Sequence, residues 1–240
     1  MKLIIDDVSI SFHQQKILEH FSLQVKEHEF VSIVGPSGCG KSTLLNILAG
    51  MLKAECGSIQ IDHHPMEEMK HHCAYMPQDD LLFEHLTLLK NITLYGKLHH
   101  IDQKEEAYAL LKQFKLEHKA NAYPDELSGG MRQRGAFLRT MLTDADILLL
   151  DEPFGALDVL TRHEIQDFLL ELRQSWNKTA IMVTHDLDEA LYLSDRIIVL
   201  NGSPATICAD ISLPKDVRTR EWLYHQNELR MKLHALLKHA

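Results

Sequence analysis

The stretch FVSIVGPSGCGKSTLLNILAG, residues 30–50, constrains this chain more than any other. FVSIVG is a short apolar run ending in glycine, which predicts a strand buried on both faces. KSTLLNILAG then sets Leu44, Leu45 and Leu48 at helical spacing, with Gly50 as the stop. Between them, GPSGCGKS fits the pattern G-x-x-x-x-G-K-[ST] in the strand–loop–helix setting that the pattern requires. The glycines Gly35, Gly38 and Gly40 let backbone N–H groups wrap closely round a phosphate chain. The positive end of the following helix adds to the attraction. Lys41 is placed to bridge the outer phosphates and Ser42 to ligate Mg²⁺. Pro36, Ser37, Cys39 and Thr43 complete the nucleotide-binding loop, with Cys39 filling a permissive position without a redox role.

A second segment supplies the other half of such a site. In ILLLDE, residues 147–152, four apolar residues bury a strand and Asp151 emerges at its carboxyl end. Ligands collect there in open parallel sheets, and a carboxylate can hold Mg²⁺ directly or through water. Glu152 follows at once and is assigned to polarising the attacking water. An exposed acidic pair is the plain alternative, and Lys41 upstream weighs against it.

Further strands are predicted at KLIIDDVSISF, FSLQV, GSIQID, CAYMPQ, TAIMVTH and DRIIVL. Strand signals vanish from Leu86 to Asp144, where QKEEAYALLKQFKL and GGMRQRGAFLRTML are amphipathic helical segments. LTRHEIQDFLLELRQSW reads as a helix between the later strands. Alternating strands and helices imply a parallel, doubly wound α/β sheet. The chain is read as one domain: a core of residues 1–85 and 145–215, an inserted helical subdomain at 86–144, and a C-terminal helix at 216–240. In the tail from Val217 to Lys238, Leu229, Leu233, Leu236 and Leu237 form a stripe that reads as a packing face.

Bulk properties bound the partners. A chain of 240 residues with a net charge of −9 argues against nucleic-acid binding. No apolar run approaches the roughly 20 residues that span a bilayer, and MKLIIDDVSI is no secretory leader. The expectation is a cytosolic protein that reaches any membrane through a partner. Cys39, Cys56, Cys73 and Cys208 lack a C-x-x-C pair and read as reduced thiols. The doublets His63–His64, His71–His72 and His99–His100 read as solvated surface histidines, because neighbouring side chains diverge.

A second glycine-paired loop, LSGGMRQR at 127–134, lies between the two halves of the site. In that position it resembles the signature motif of the ATP-binding-cassette ATPases. The resemblance covers most of the chain, with the motifs in family order. It implies a P-loop NTPase (RecA-like) core with an N-terminal antiparallel β region and an inserted α-helical subdomain. It makes Gln78 in YMPQDD the Q-loop residue, which with Ser42 and Asp151 serves Mg²⁺. It makes Asp158 in GALD part of the D-loop and His185 in VTHD the switch histidine on the γ-phosphate. Phe12 falls where the family places an aromatic under the adenine, although an ordinary strand aromatic reads equally well. Leu127, Ser128, Gly129, Gly130 and Met131 are expected to act on ATP held by a second copy in a head-to-tail dimer. That geometry makes the nucleotide the adhesive of the pair.

DEPFGALDVLTR and THDLDEALYLSDRIIVL look like the importer ATPases for nitrate, sulfonates and taurine, a branch that includes thiamine-precursor pyrimidine uptake. The resemblance implies an integral membrane permease as partner, an extracellular substrate-binding protein indirectly, no nucleic acid, and a peripheral place on the cytoplasmic membrane face. RGAFLRTML departs from the usual alanine-rich run, and LLFEHLT lacks a proline–tryptophan pair where the permease docks. The pair Leu81 and Leu82 is expected to anchor that docking, with core packing as the competing reading. The rival functions are a soluble cassette ATPase outside transport and a small-molecule kinase. The kinase has no use for LSGGM, Gln78 and His185.

Overall fold

The computed structural model describes residues 1–68, 72–173, 177–214 and 218–238. Its strands are β1 (Leu3–Phe12), β2 (Gln15–Val25), β3 (Phe30–Val34), β4 (Cys56–Ile61) and β5 (His64–Pro65) in the first third. They continue with β6 (Cys73–Met76), β7 (Ile147–Asp151), β8 (Thr179–Val183), β9 (Arg196–Asn201) and β10 (Thr206–Ser212). Helix α1 (Lys41–Leu48) follows β3. Between β6 and β7 lie α2 (Leu88–Ile92), α3 (Leu94–His99), α4 (Lys104–Gln113) and α5 (Gly129–Met141). The rest are α6 (Val159–Arg173), α7 (Leu187–Leu193), α8 (Arg220–Tyr224) and α9 (Asn227–Lys238).

Two sheets result. The first runs β2–β1–β4–β5 and is antiparallel throughout. The second runs β10–β9–β3–β8–β7–β6. Its β9, β3, β8, β7 and β6 are parallel, as the alternating pattern requires, and its edge strand β10 is antiparallel. Every residue of β3, β7 and β8 is buried, because both faces are covered. The two-residue period of a strand sorts their side chains. Leu148 and Leu150 join a core shared with the helices, and Ile147 and Leu149 join one shared with α1 and the antiparallel sheet.

The segment between β6 and β7 is held by local chemistry as much as by burial. Thr87 caps α2, its hydroxyl accepting from the Lys90 amide at 3.4 Å. Asn91 is fully buried. Its Oδ1 accepts from the Phe83 amide at 2.8 Å, and its Nδ2 donates to the carbonyls of Phe83 and Leu86 at 3.1 and 3.0 Å. A buried amide with its bonds satisfied fixes the turn at 83–87.

Two expectations need correction. The main sheet is not wholly parallel, because β10 returns antiparallel at its edge. The tail is two helices, α8 and α9, broken at His225 and Gln226. Leu233 is its fully buried residue, while Leu229, Leu236 and Leu237 pack against the core partly exposed. Parts of three readings, His71, residues 174–176 of the QSW segment, and Val217, lie outside the described residues.

Candidate functional site

The 35–43 loop joins β3 to α1 at the carboxyl edge of the parallel sheet. Gly40 caps α1 with φ 103°, a left-handed conformation that favours glycine, and no side chain takes the cap. A Cβ there would lie 2.9 Å from Ile17 of β2, so the antiparallel sheet closes directly on the loop. Lys41 is 8% exposed. Its ammonium donates to the carbonyls of Gly35 and Pro36 at 2.9 and 2.7 Å, with Cys39 Sγ at 3.9 Å. The lysine thus sits inside the ring of backbone that its loop forms. Cys39 is buried and Ser42 is exposed beside the loop. Phe12 stands 42% exposed at the tip of the β1–β2 hairpin.

Asp151 ends β7 almost completely buried. Burial pushes its carboxyl above the ordinary range, against the pull of a hydrogen bond from Ser42, while the charge of Glu152 raises it further. The Tyr75 hydroxyl lies 3.4 Å from its Oδ2, and burial drives that phenol up to about 12. A serine hydroxyl and a carboxylate in contact are hard oxygen donors of the kind Mg²⁺ takes. A carboxylate raised by burial is one that a cation would restore to its charged form. The residues fit the ion.

Glu152 has φ 48°. A non-glycine residue in that region costs about 1–3 kcal/mol and persists where the surroundings over-determine it. Its amide donates to the Val183 carbonyl at 2.9 Å, which anchors it to β8. Its Oε2 accepts from Gln78 Nε2 at 3.3 Å, and its Oε1 lies 3.2 Å from His185 Nδ1. Three residues drawn from the ends of β6, β7 and β8 therefore meet at one carboxylate. Glu189, behind His185, is pushed up to about 7 by burial, against a hydrogen bond from Thr184.

LSGGM forms the start of α5. The Ser128 hydroxyl accepts from the Met131 amide at 3.3 Å, and Ser128 and Gly129 are exposed. Leu127 is buried. A Cβ on Gly130 would lie 3.3 Å from the Ala156 carbonyl, so the signature turn rests on the segment after Glu152. Asp158 caps α6, its Oδ1 accepting from the Thr161 amide at 3.1 Å. The pair Leu81 and Leu82 divides: Leu81 is 59% exposed with φ 42°, and Leu82 is buried in the core. Core packing therefore claims Leu82, and Leu81 alone faces outward.

Sequence reading missed three residues of α5. Arg132 Nε donates to Asp80 Oδ2 at 2.9 Å, and Arg139 donates to the carbonyls of Leu81 and Asp80 at 2.7 and 3.2 Å. These bonds tie the stretch after Gln78 to the signature helix. Gln133, 5% exposed, donates to the Glu152 carbonyl at 3.1 Å and accepts from the Ala156 amide at 2.7 Å. A glutamine one turn inside a helix on its buried face was the available signal.

Comparison with known proteins identifies the family. The ABC transporter family model matches residues 18–155. An aliphatic sulfonates import ATP-binding protein of Bacillus cereus is 40% identical over 211 residues, covering 86% of this chain and 84% of that protein. A sulfate/thiosulfate import ATP-binding protein of Mannheimia succiniciproducens is 41% identical over 214 residues, covering 84% of this chain and 59% of that protein. A dimeric ATP-binding cassette in a post-hydrolysis state with ADP and Pi superimposes with TM-score 0.80 at 30% identity, covering 89% of this chain and 100% of that one. This chain belongs to the ABC transporter family, as one of its ATP-binding and ATP-hydrolysing subunits.

Proposed function

We propose that the chain drives an importer for small organic anions of the nitrate, sulfonate or taurine kind, or for a thiamine-precursor pyrimidine. The names of its relatives support an anion, since one imports aliphatic sulfonates and another sulfate or thiosulfate. The subunit works as a head-to-tail dimer on the cytoplasmic face of the membrane, bound to an integral permease that receives substrate from an extracellular binding protein. No described helix is long and apolar enough to cross a membrane, so the permease supplies the path. Within the chain, residues 1–85 and 145–215 act as the nucleotide-binding core, 86–144 as the helical subdomain and 216–240 as a C-terminal helical extension.

In this reading the 35–43 loop cradles the phosphates, Phe12 stacks under the adenine, and Ser42, Asp151 and Gln78 hold Mg²⁺, which supplies charge neutralisation on the phosphates. Glu152 takes a proton from the attacking water, and Gln78 and His185 orient its carboxylate. Ser128, Gly129 and Gly130 bind the γ-phosphate of the partner's ATP, and Asp158 meets the partner across the interface. Exposed Leu81 and Phe83, at 59% and 46%, offer the permease an apolar foothold beside Gln78.

The single observation that carries the hydrolytic assignment is the convergence of Gln78 and His185 on the Glu152 carboxylate at 3.3 and 3.2 Å. Loss of a positioned general base costs about 10²–10⁴ in rate. Glu152→Gln should keep ATP affinity, lose turnover by that factor and accumulate as an ATP-bound dimer. Near-normal turnover would place the base elsewhere.

A further inference from the structure

The segment from Glu152 to Ala156 leaves β7 with Glu152 in a left-handed backbone conformation, yet it must hold a carboxylate steady. One side chain grips both of its ends. Gln133 Nε2 donates to the Glu152 carbonyl at 3.1 Å, and Gln133 Oε1 accepts from the Ala156 amide at 2.7 Å. The Gly155 amide donates to the same Glu152 carbonyl at 3.1 Å, closing a tight turn inside that grip. One helical turn further along α5, Phe137 packs on Phe154 with ring centroids 6.1 Å apart. Residues four apart share a helix face, so α5 meets the 152–156 turn with an amide clamp and an aromatic contact side by side. The first turn of the same helix begins at Ser128, and Gly130 rests against the Ala156 carbonyl.

We propose that Gln133 is a positioning residue that fixes the peptide after Glu152 and joins the signature helix to the catalytic carboxylate of its own chain. The inference rests on the reading of Glu152 as the base. A Gln side chain is the right tool because its two targets differ: one end of the turn offers an acceptor and the other a donor, 19 and 23 residues away in sequence. Methionine of similar length fills the space and satisfies neither. In a dimer where Ser128 closes on the partner's nucleotide, any shift of α5 is delivered through this clamp to the chain's own Glu152. Each active site is thereby informed of the state of the other.

The test is Gln133→Met, measured for turnover, for ATP affinity of the isolated chain, and for amide hydrogen exchange across residues 152–156. Small misplacements of a catalytic group cost up to about 10²-fold in rate. A loss of turnover approaching that size is expected, with ATP affinity unchanged and faster exchange at Gly155 and Ala156 but not along β7. Gln133→Glu keeps the volume and the acceptor for Ala156 while removing the donor to Glu152; it should lose turnover as well and serves if the methionine variant does not fold. In a Glu152→Gln background, Gln133→Met should cost no further residual turnover. Near-wild-type turnover in both variants overturns the proposal, as does a loss matched by equal losses of ATP affinity and melting temperature. Normal turnover in Glu152→Gln alone sinks the assignment of the base instead, and is read separately from the Gln133 variants.

Discussion

Two loops of this chain open a helix with glycines and a serine, and they are built differently. The 35–43 loop is enclosed: β2 closes on Gly40, and Lys41 fills the ring with its ammonium on the loop's own carbonyls. No side chain caps α1, so its first amides are left for a ligand. The 127–131 loop is the reverse. Ser128 already caps α5, Ser128 and Gly129 stand exposed, and Gly130 behind them rests on the Ala156 segment. The first loop carries its own cation, and its walls come from its own chain. In the second, the Arg132 guanidinium is tied down behind the loop, donating to the Leu127 carbonyl at 3.0 Å and to Asp80 at 2.9 Å, while Ser128 and Gly129 stay open to solvent.

That contrast can be broken by mutation, beginning with the largest effect. Leu82 lies beneath α5, where a Cβ on Gly135 would meet it at 3.5 Å. Leu82→Ala should cost about 2–5 kcal/mol in denaturant unfolding. Leu81→Ala, one residue away and exposed, should cost less than about 0.5 kcal/mol. Leu81→Asp should uncouple transport from hydrolysis when the permease is present. Equal destabilisation at both positions would mean that neither is free to serve a partner.

Next in size is the effect of Lys41. Hydrogen bonds to charged groups contribute about 1.5–3 kcal/mol, which is about 10–100-fold in affinity. Lys41→Ala should weaken ATP binding to the isolated chain by that factor. Ser128→Arg should leave the isolated chain's affinity unchanged and abolish ATP-dependent dimerisation. Equilibrium titration with a fluorescent ATP analogue, followed by size-exclusion chromatography, separates the two.

A further effect, carried by pH, belongs to Glu189, which lies near His185. Burial raises its native carboxyl from 4.5 to about 7, so the folded state holds a proton that the unfolded state has released. Stability is therefore lost as pH rises from about 4.5 to about 7, and is flat above that window. Glu189→Gln removes the titration. Its melting temperature relative to the wild type should climb across that interval and then stay constant. A gap that ignores pH would show that Glu189 is charged throughout.

Much of this was legible in sequence because covered strands leave an unmistakable trace. FVSIVG and ILLLD are buried at every strand position, and the carboxylates that follow ILLL, Asp151 and Glu152, are where the strand's polarity requires them. The edge strand β10 escaped because TICADIS alternates exposed and half-buried residues, with no continuous apolar run. Leu81 and Leu82 look alike as letters, and only the left-handed turn at Leu81 sends them opposite ways. Gln133 left only a faint signal for a related reason. A buried glutamine on a helix is read as polar until its two partners, 23 and 19 residues away, are in place.

The most direct test of the contrast between the loops mixes two inactive variants. Each Lys41→Ala dimer has two sites without a phosphate-binding lysine, and each Ser128→Arg dimer has two sites with a blocked signature. If each signature acts on the partner's nucleotide, a mixed dimer gathers both lesions into one composite site and leaves the other whole. ATP-dependent closure at that site, followed by distance-sensitive labels on the two variants, is the predicted result. A mixture as inert as its parents would contradict the shared site and return the signature loop to its own chain's ATP.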